Sequence, residues 1–355
     1  MKLVPGGRAW ALLIAGAITL AVPTHALALP PGTKVRTYKA GLDWPVDMAW
    51  VKGSKRLFFT EKNTGKIRVV KRRHLRQRAC TNLDVNSAGE RGALGLALDP
   101  RFKRNHHLYV YYTNASPLDN RVARFTVKNN RCRNKNLIIK GLSASSSGYH
   151  NGGQLEFVDG KLFVSTGEAH QAWRAQSKHS RLGKVLRYRR NGTVPRGNPF
   201  GRHNPVWSLG HRNPFGLTHK PDSKRLYETE NGPQCDDELN RIVKGRNYGW
   251  GGGYRCGTAG VGPNPKRPLK RWRSIIVPTD AVWYRGRLRA LSNSLFVGDF
   301  ATGRLHRFVL KRRGTRIKRS IITFNGSRGI VDLTRGPGGW LYMATSSSIL
   351  RITRR

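Results

Sequence analysis

A three-strand pattern that returns six times along the chain is the feature that most limits its fold. Each copy has a short apolar strand, a turn of Asp, Pro, Gly or Lys, a strand rich in Leu, Phe, Tyr and Val, and a third short strand. The first copy spans 45–50, 56–60 and 66–70, and later copies begin at Gly95, Gly153, Gly216, Thr279 and Ile330. The copies return about every fifty residues, and no long helical period accompanies them.

Six sheets repeated radially predict an all-β fold, a six-bladed β-propeller. Radial repetition leaves only short, protected strand edges around a central channel. A pair of β-sandwiches is the alternative, but it does not explain a repeat of this period. The strand-like segment 34–38 precedes the first copy, and we expect it to close the ring as the outer strand of the last blade. The propeller is expected to occupy residues 29–355.

The first 28 residues have the composition of a secretory signal peptide. Lys2 and Arg8 provide the charged start, residues 9–22 are apolar, and 26–28 form an A-x-A cleavage site. The apolar run is short for a membrane span, and no later segment is long enough. The sequence therefore predicts a secreted or extracytoplasmic protein without a transmembrane segment.

Four cysteines, an even number in a chain predicted to be secreted, indicate two disulfides. Four cysteines allow three pairings. Pairing neighbours along the chain predicts Cys80 with Cys132 and Cys235 with Cys256.

The chain carries 66 Lys and Arg residues against 19 Asp and Glu, a formal net charge of +47. One interpretation is a lineage bias or adaptation that coats the surface with arginine, with nonspecific polyanion association as a consequence. The other is adhesion to a polyanion such as a cell-wall polymer, a lipid surface or nucleic acid. The charges are dispersed, with short clusters such as 71–73 and 311–313, and no nucleic-acid-binding motif accompanies them. The first interpretation is favoured, and no specific nucleic-acid partner is expected.

Four polar clusters lie in predicted loops: 87–92, 149–151, 210–214 and 230–238. A lone histidine is more often structural than catalytic, but a neutral His150 can act as a general base at the lip of a strand pair. Arg212 can hold an anion or a developing negative charge. The acidic run 236–238 either offers oxygen ligands suited to calcium or is a turn of solvated acids.

Seven stretches together resemble the soluble aldose (glucose/sorbosone) dehydrogenase family that uses pyrroloquinoline quinone (PQQ). They run in family order through most of the chain, and although each is weak alone, the joint match is specific. The stretches are 89–100, 150–154, 182–187, 210–214, 228–233, 237–240 and 247–250.

This resemblance implies a six-bladed propeller that holds PQQ in its central funnel, oxidises an aldose sugar or related alcohol, and passes electrons to an external acceptor. It implies that His150 takes the proton of the anomeric hydroxyl while hydride passes to the quinone. Arg212 and Asn213 are implied to contact substrate and cofactor. Glu90 and Tyr149 are the further expected contacts to the sugar.

The resemblance also implies two calcium sites. The main-chain carbonyls of Gly232 and Pro233 are implied to hold the calcium that polarises the quinone. The positions of Glu238 and Tyr248 are implied to hold a second, structural calcium.

The second half of the chain departs from the family pattern. Ala301 stands near the place of a cofactor-binding lysine, Arg328 is a single arginine out of register with the family's pair, and Phe215 replaces a polar residue. PQQ has three carboxylates, and each lost charge-assisted hydrogen bond costs about 1.5–3 kcal/mol. Arg304, Arg328 or Lys311 are the nearby cations available to compensate. We therefore expect a weaker cofactor clamp.

Two other classes of function remain. One is a non-catalytic propeller that binds an anionic cell-surface polymer or partner through its basic surface; salt-sensitive association without redox activity would favour it over the enzyme. The other is a hydrolase, which is disfavoured because the sequence has no nucleophile elbow and no convincing metal–histidine cluster.

Overall fold

The computed structural model describes residues 29–355, and the predicted signal segment 1–28 lies outside the described residues. The described chain forms six antiparallel sheets. The strands in chain order are β1 Thr33–Ala40, β2 Pro45–Trp50, β3 Arg56–Glu61, β4 Lys66–Lys71, β5 His74–Leu75, β6 Thr81–Asn82, β7 Ala93–Leu98, β8 His107–Asn114, β9 Asp119–Lys128, β10 Arg131–Ser143, β11 Gly152–Val158, β12 Lys161–Thr166, β13 Lys184–Tyr188, β14 Val206–Leu209, β15 Pro214–Lys220, β16 Arg225–Glu230, β17 Asp237–Ile242, β18 Lys270–Trp272, β19 Pro278–Tyr284, β20 Ser294–Asp299, β21 Arg304–Leu310, β22 Ile317–Asn325, β23 Asp332–Arg335, β24 Leu341–Ala344 and β25 Ser348–Arg354.

Each sheet is one blade of a six-bladed propeller, which confirms the predicted fold class. Blades one to five are formed by β2–β5 with β6 beside β4, β7–β10, β11–β14, β15–β18 and β19–β22. Blade six combines β23, β24 and β25 with β1. Strand β1 pairs antiparallel with β25, so that Thr33 lies opposite Arg354. The expected closure of the ring by the N-terminal strand is therefore confirmed.

The outer strands of blades one to five are the part that the sequence pattern missed, because the pattern predicted three strands in each copy and these blades have four or five. In blade two the missed strand is β10, and most of its residues are exposed. A strand that faces solvent does not need apolar residues at alternate positions, so its sequence has no readable period. In blade six, β23 begins at Asp332, two residues later than the predicted start at Ile330.

Apolar side chains between neighbouring blades form the core. Six clusters of buried residues fill the six interfaces between blades. Between blades one and two, for example, Phe58 packs in one cluster with Leu108 and Tyr112. The second strand of a blade lies between two neighbours, so strands such as β3 and β12 are buried on both faces beyond their first residue.

Both predicted disulfides are confirmed. Cys80–Cys132 ties the last strands of blade one to β10 of blade two, and Cys235–Cys256 joins the short loop before β17 to the long connection between β17 and β18. The described helices are single turns, α1 Phe102–Asn105 and α2 Ala172–Gln176, together with short 3₁₀ segments. Within residues 29–355 we find no helix of the length and apolar character needed to cross a membrane.

Candidate active site

The topology brings the predicted loop clusters to one end of the ring, which we call the funnel end. Antiparallel strands alternate in direction, so the loops that enter the innermost strands and the loops between second and third strands share one end. Glu90, His150 and Arg212 precede the innermost strands β7, β11 and β15. Residues 167–183 and 231–236 join second to third strands in blades three and four.

His150 is buried at the start of β11 and is held in a left-handed backbone conformation, with φ of 58°. Such a conformation in a non-glycine residue costs energy and is common at functional sites. Its ring Nδ1 lies 2.5 Å from Oε1 of Glu168. A side chain at Gly167 would overlap with the His150 carbonyl, so glycine is required there for this close approach. The imidazole is therefore fixed in place by both backbone and carboxylate.

Glu168 is a site residue that the sequence analysis missed. It is almost fully buried, its second oxygen Oε2 has no hydrogen-bond partner among the described residues, and its main-chain N–H donates to the carbonyl of Arg212 (2.9 Å). A carboxylate that accepts the Nδ1 proton leaves Nε2 of the imidazole free to accept another. The available signal was its position, directly after a buried strand in a chain poor in acids.

Glu90 and Asn213 form a second set of contacts around His150. Oε2 of Glu90 accepts hydrogen bonds from the main-chain N–H of His150 (2.8 Å) and from Nδ2 of Asn213 (3.0 Å). Oδ1 of Asn213 accepts the N–H of Gly152 (3.3 Å). Glu90 also lines the central cavity. The structure thus places these predicted contact residues together, with Glu90 facing both the histidine loop and the cavity.

Tyr149 lies at the rim of the site and is exposed. Its ring meets the edge of His170 at 6.4 Å, and His170 stacks on His150 with ring centroids 4.0 Å apart. His170 is another residue that the sequence analysis did not single out. The aromatic stack covers the face of the imidazole and leaves Tyr149 accessible to a ligand.

Arg212 links blade three to the loop of blade four. Its Nη1 donates to the carbonyls of Asn231 (3.0 Å) and Gly232 (2.7 Å), and its guanidinium lies over the ring of Trp250 at 5.3 Å. Its main-chain N–H donates to the carboxylate of Glu230. Burial lowers the pKa of Arg212 from its usual value.

The four predicted calcium-binding positions are brought together with Arg212 around one small cavity, lined among others by Gly232, Pro233, Glu238 and Tyr248. Oε1 of Glu238 accepts a hydrogen bond from Arg271 (3.2 Å), and burial with Glu230 nearby raises the pKa of Glu238 to about 8.

Two of these positions, Tyr248 and Gly232, already form hydrogen bonds within the chain. The Tyr248 hydroxyl donates to the carbonyl of Arg241 (2.6 Å), so Tyr248 has its main-chain carbonyl left to offer a metal. The Gly232 carbonyl accepts the Arg212 guanidinium, which must shift before a cation binds there.

The acidic run 236–238 does not act as one ligand set. Asp237 accepts main-chain N–H groups of Gly232 (2.9 Å), Ile276 (2.7 Å) and Val277 (2.9 Å), so its carboxylate holds two loops together. Asp236 accepts the hydroxyl of Tyr254 (2.9 Å). Asp236 and Glu238 line the small cavity together with Gly232 and Pro233, while Asp237 is structural.

A buried polar cluster lies behind Arg212. His211 bonds through Nδ1 to Glu230 (2.9 Å) and through Nε2 to Ser208 (2.9 Å). Glu228 lies close to His211 and Glu230, and neither of its carboxylate oxygens has a hydrogen-bond partner among the described residues. Burial, and then the neighbouring Glu230, hold the pKa of Glu228 well above its usual value. The sequence analysis placed Glu228 and Glu230 in a family motif but assigned neither a role.

The central cavity opens at the funnel end and has a volume of about 410 Å³. Trp44, Phe215 and Phe300 contribute aromatic rings to its lining. The ring centroids of Trp44 and Phe300 lie 6.0 Å apart. Among the described residues that line it, Lys62 is the single cation. Burial lowers the pKa of Lys62.

The compensating cations expected from the sequence do not line this cavity. Arg304, Arg328 and Lys311 are absent from the described lining, and Arg328 donates to the hydroxyl of Ser347 (2.6 Å). None of these three cations therefore faces the central cavity. Lys62, on the loop between β3 and β4, is the cation that the fold delivers instead, because that loop belongs to the funnel end.

Three aspartates on innermost strands lie at and below the cavity floor. Asp47 accepts the N–H of Leu96 (2.7 Å) and Asp280 accepts that of Leu333 (3.0 Å), so each carboxylate ties its blade to the next. Burial raises the pKa of Asp280 to about 7. Burial and the charge of Asp280 also raise the pKa values of Asp47 and Asp332.

Because the pKa of the buried Asp280 is raised, we expect the free energy of unfolding to fall as the pH rises. A raised folded-state pKa means that the folded chain keeps a proton that the unfolded chain releases. The free energy of unfolding is therefore highest below about pH 4 and falls as the pH rises from there to about 7. Asp280→Asn should therefore raise the free energy of unfolding at pH 8 by on the order of 2–4 kcal/mol and change it little at pH 4. Chemical denaturation at both pH values measures this. The exposed Asp222→Asn variant is the control, and an equal response of both variants would contradict the prediction.

The sequence profile of the glucose/sorbosone dehydrogenase family matches residues 42–354. Among curated proteins, the chain is 28% identical to the aldose sugar dehydrogenase of Escherichia coli over 77% of this chain and 80% of that protein. It is 31% identical to quinoprotein glucose dehydrogenase B of Acinetobacter calcoaceticus over 59% of this chain and 51% of that protein.

A solved structure gives the same picture. The PQQ-bound form of the aldose sugar dehydrogenase of Streptomyces coelicolor superimposes with a TM-score of 0.80 at 28% identity. The match covers 92% of this chain and 100% of the Streptomyces coelicolor chain.

Proposed function

Since the chain belongs to the glucose/sorbosone dehydrogenase family and is an oxidoreductase acting on sugars, we propose that it oxidises the anomeric hydroxyl of an aldose, or a related alcohol, with His150 as the general base and PQQ as the hydride acceptor. The observation that carries this proposal is the buried pair of His150 and Glu168, which the main-chain N–H of His150 connects to Glu90 in the lining of the aromatic-lined cavity.

His150 moves the proton in this proposal. Its Nδ1–H donates to Glu168, and its Nε2 receives the proton of the sugar hydroxyl while hydride leaves the carbon that bears this hydroxyl. Glu168 is a positioning residue, because it fixes the ring orientation and favours the positive imidazolium that forms. Glu90, locked by two donors, and exposed Tyr149 orient the sugar.

The central cavity suits the planar shape of PQQ, but it offers little positive charge to the carboxylates of PQQ. A volume of about 410 Å³ and the rings of Trp44, Phe215 and Phe300 suit a planar tricyclic molecule. Lys62 is the lining cation available to its three carboxylates. Bound PQQ would supply an electron-poor quinone as the hydride acceptor, with an external acceptor needed to reoxidise it. Aromatic contacts, with Lys62 as the charged anchor, therefore hold the cofactor in this proposal.

Calcium completes the proposed site. Calcium prefers oxygen ligands, and the carbonyls of Gly232 and Pro233, two residues that line the small cavity, would hold the ion that polarises the quinone. Arg212 already donates to the Gly232 carbonyl, so its guanidinium would have to move away before an ion could bind there. A second calcium at Glu238 and Tyr248 would be structural.

The proposed location is outside the cytoplasm. Two disulfides in one chain are typical of oxidising compartments, and they agree with the signal peptide predicted for residues 1–28.

Reconstitution tests the proposal. We expect purified protein, given PQQ and calcium, to change the PQQ absorbance in a saturable way and to reduce a redox dye with at least one sugar of an aldose panel. A calcium chelator should remove the turnover. Absence of turnover together with an unchanged PQQ spectrum would refute the cofactor assignment.

A further inference from the structure

A second concave site lies at the end of the ring opposite the funnel end. The turn between β11 and β12, the connection between β7 and β8, and the segment that leaves β13 meet there, because these connections alternate with the funnel-end loops. They surround a cleft of about 550 Å³ between blades two and three. We call it the basic cleft; its cationic lining residues are Arg101, Arg104, Arg124, Lys161, Arg189 and Arg190.

A single buried carboxylate, Asp99, compensates the charge of the basic cleft from within the described residues. None of the described residues that line it is acidic. Asp99, buried behind it, lies 3.3 Å from Nε of Arg190, and Asp159 nearby is paired instead with Lys224 (2.9 Å). His107, also in the lining, has its pKa lowered by burial and then by the charge of Arg124. The cleft therefore concentrates positive charge in a partly enclosed space.

The arrangement of the guanidinium groups suits a compact anion. Arg190 lies over the tight turn at Gly160, where a Cβ would come within 2.8 Å of its Nη2. Its Nε has no hydrogen-bond partner among the described residues, and Arg124 and Lys161 are half-buried beside it. Arg101, Arg104 and Arg189 are exposed at the rim. Guanidinium groups bind phosphate oxygens in a planar, two-pronged geometry that ammonium groups cannot reproduce.

We propose that the basic cleft is a binding site for a chain of linked phosphate groups. Six cations, of which only Arg190 is paired with a carboxylate of residues 29–355, surround about 550 Å³ and favour a ligand with several negative charges in a small volume. Linked phosphates carry more charge per volume than carboxylates. This site is separate from the sugar-oxidising site and does not depend on it. It gives part of the large positive charge a local role, distinct from nonspecific attraction.

Calorimetric titration with sodium tripolyphosphate at 0.15 M salt tests the proposal. We expect one tripolyphosphate to bind per chain, and the variant R101Q/R104Q/R189Q, in which all three residues are exposed, to bind at least about thirtyfold more weakly. The control K311Q/R312Q/R313Q removes the same charge from an exposed run elsewhere and should stay within about threefold of wild type.

Further arms separate the alternatives. Arg124→Gln, from the inner wall of the cleft, should also weaken binding, and circular dichroism checks that each variant is folded. Equal losses in the cleft and control variants, or no stoichiometric binding by the wild type, would overturn the proposal. Binding to phosphatidylglycerol vesicles without binding of tripolyphosphate would overturn it in favour of a lipid surface.

Discussion

His150→Ala is expected to lower kcat/KM of the PQQ- and calcium-reconstituted protein by about 10²- to 10⁴-fold. The imidazole is a buried group that the fold fixes next to Glu90 of the cavity lining, with Glu168 on one nitrogen and the other left to accept a proton. Alanine removes the proton acceptor and leaves the cavity lining in place. Initial rates of dye reduction measure the effect.

A matched histidine provides the control. His219 forms the same kind of pair, with its Nδ1 2.5 Å from Glu156, but it stands near the far end of the innermost strand β15. His219→Ala should leave kcat/KM near the wild-type value. PQQ binding, followed by absorbance, should be unchanged in His150→Ala. Wild-type turnover in that variant would show that another group is the base.

Glu168→Gln is expected to lower kcat by about 10²-fold or more while KM for the sugar changes little. A glutamine has the same shape, but its amide can present N–H groups to Nδ1 and so favour the wrong tautomer of His150. It also lacks the negative charge that favours the imidazolium. Separate measurement of kcat and KM distinguishes this from loss of sugar binding.

Glu156→Gln is the matched control for this variant, because it removes the same carboxylate from the histidine pair remote from the cavity. Partial recovery of kcat in Glu168→Asp would support a charge-dependent role. If Glu168→Gln and Glu156→Gln behaved alike, or if only KM rose, Glu168 would not be positioning a base.

The parts of this protein that the sequence predicted are those that repeat or lie close along the chain. The second strands of the blades, such as β12, are buried on both faces and must be apolar, so their pattern is readable. The closing strand β1 and both disulfides were predicted as well. The outer strands such as β10 were missed, because exposure removes the need for an apolar period.

The loop motifs identified candidate residues without showing their partners. His150, Glu90 and Asn213 were expected to contact ligands, and the structure adds that Glu90 bonds to both of the others. The acidic run 236–238 was interpreted as one possible ligand set, yet the carboxylate of Asp237 accepts hydrogen bonds from main-chain N–H groups. Which oxygen is free depends on loops far apart in sequence.

The sequence by itself determined the six-bladed ring, its closure, its covalent links and the family of the chain, because these follow from burial at regular intervals and from short motifs. Only the tertiary structure decided that Glu168 meets His150, that Lys62 rather than Arg304, Arg328 or Lys311 faces the cavity, and that six cations meet in the basic cleft. Side chains from different blades converge through the alternation of strand direction around the ring. Their distances depend on the packing of whole blades, which local sequence does not encode.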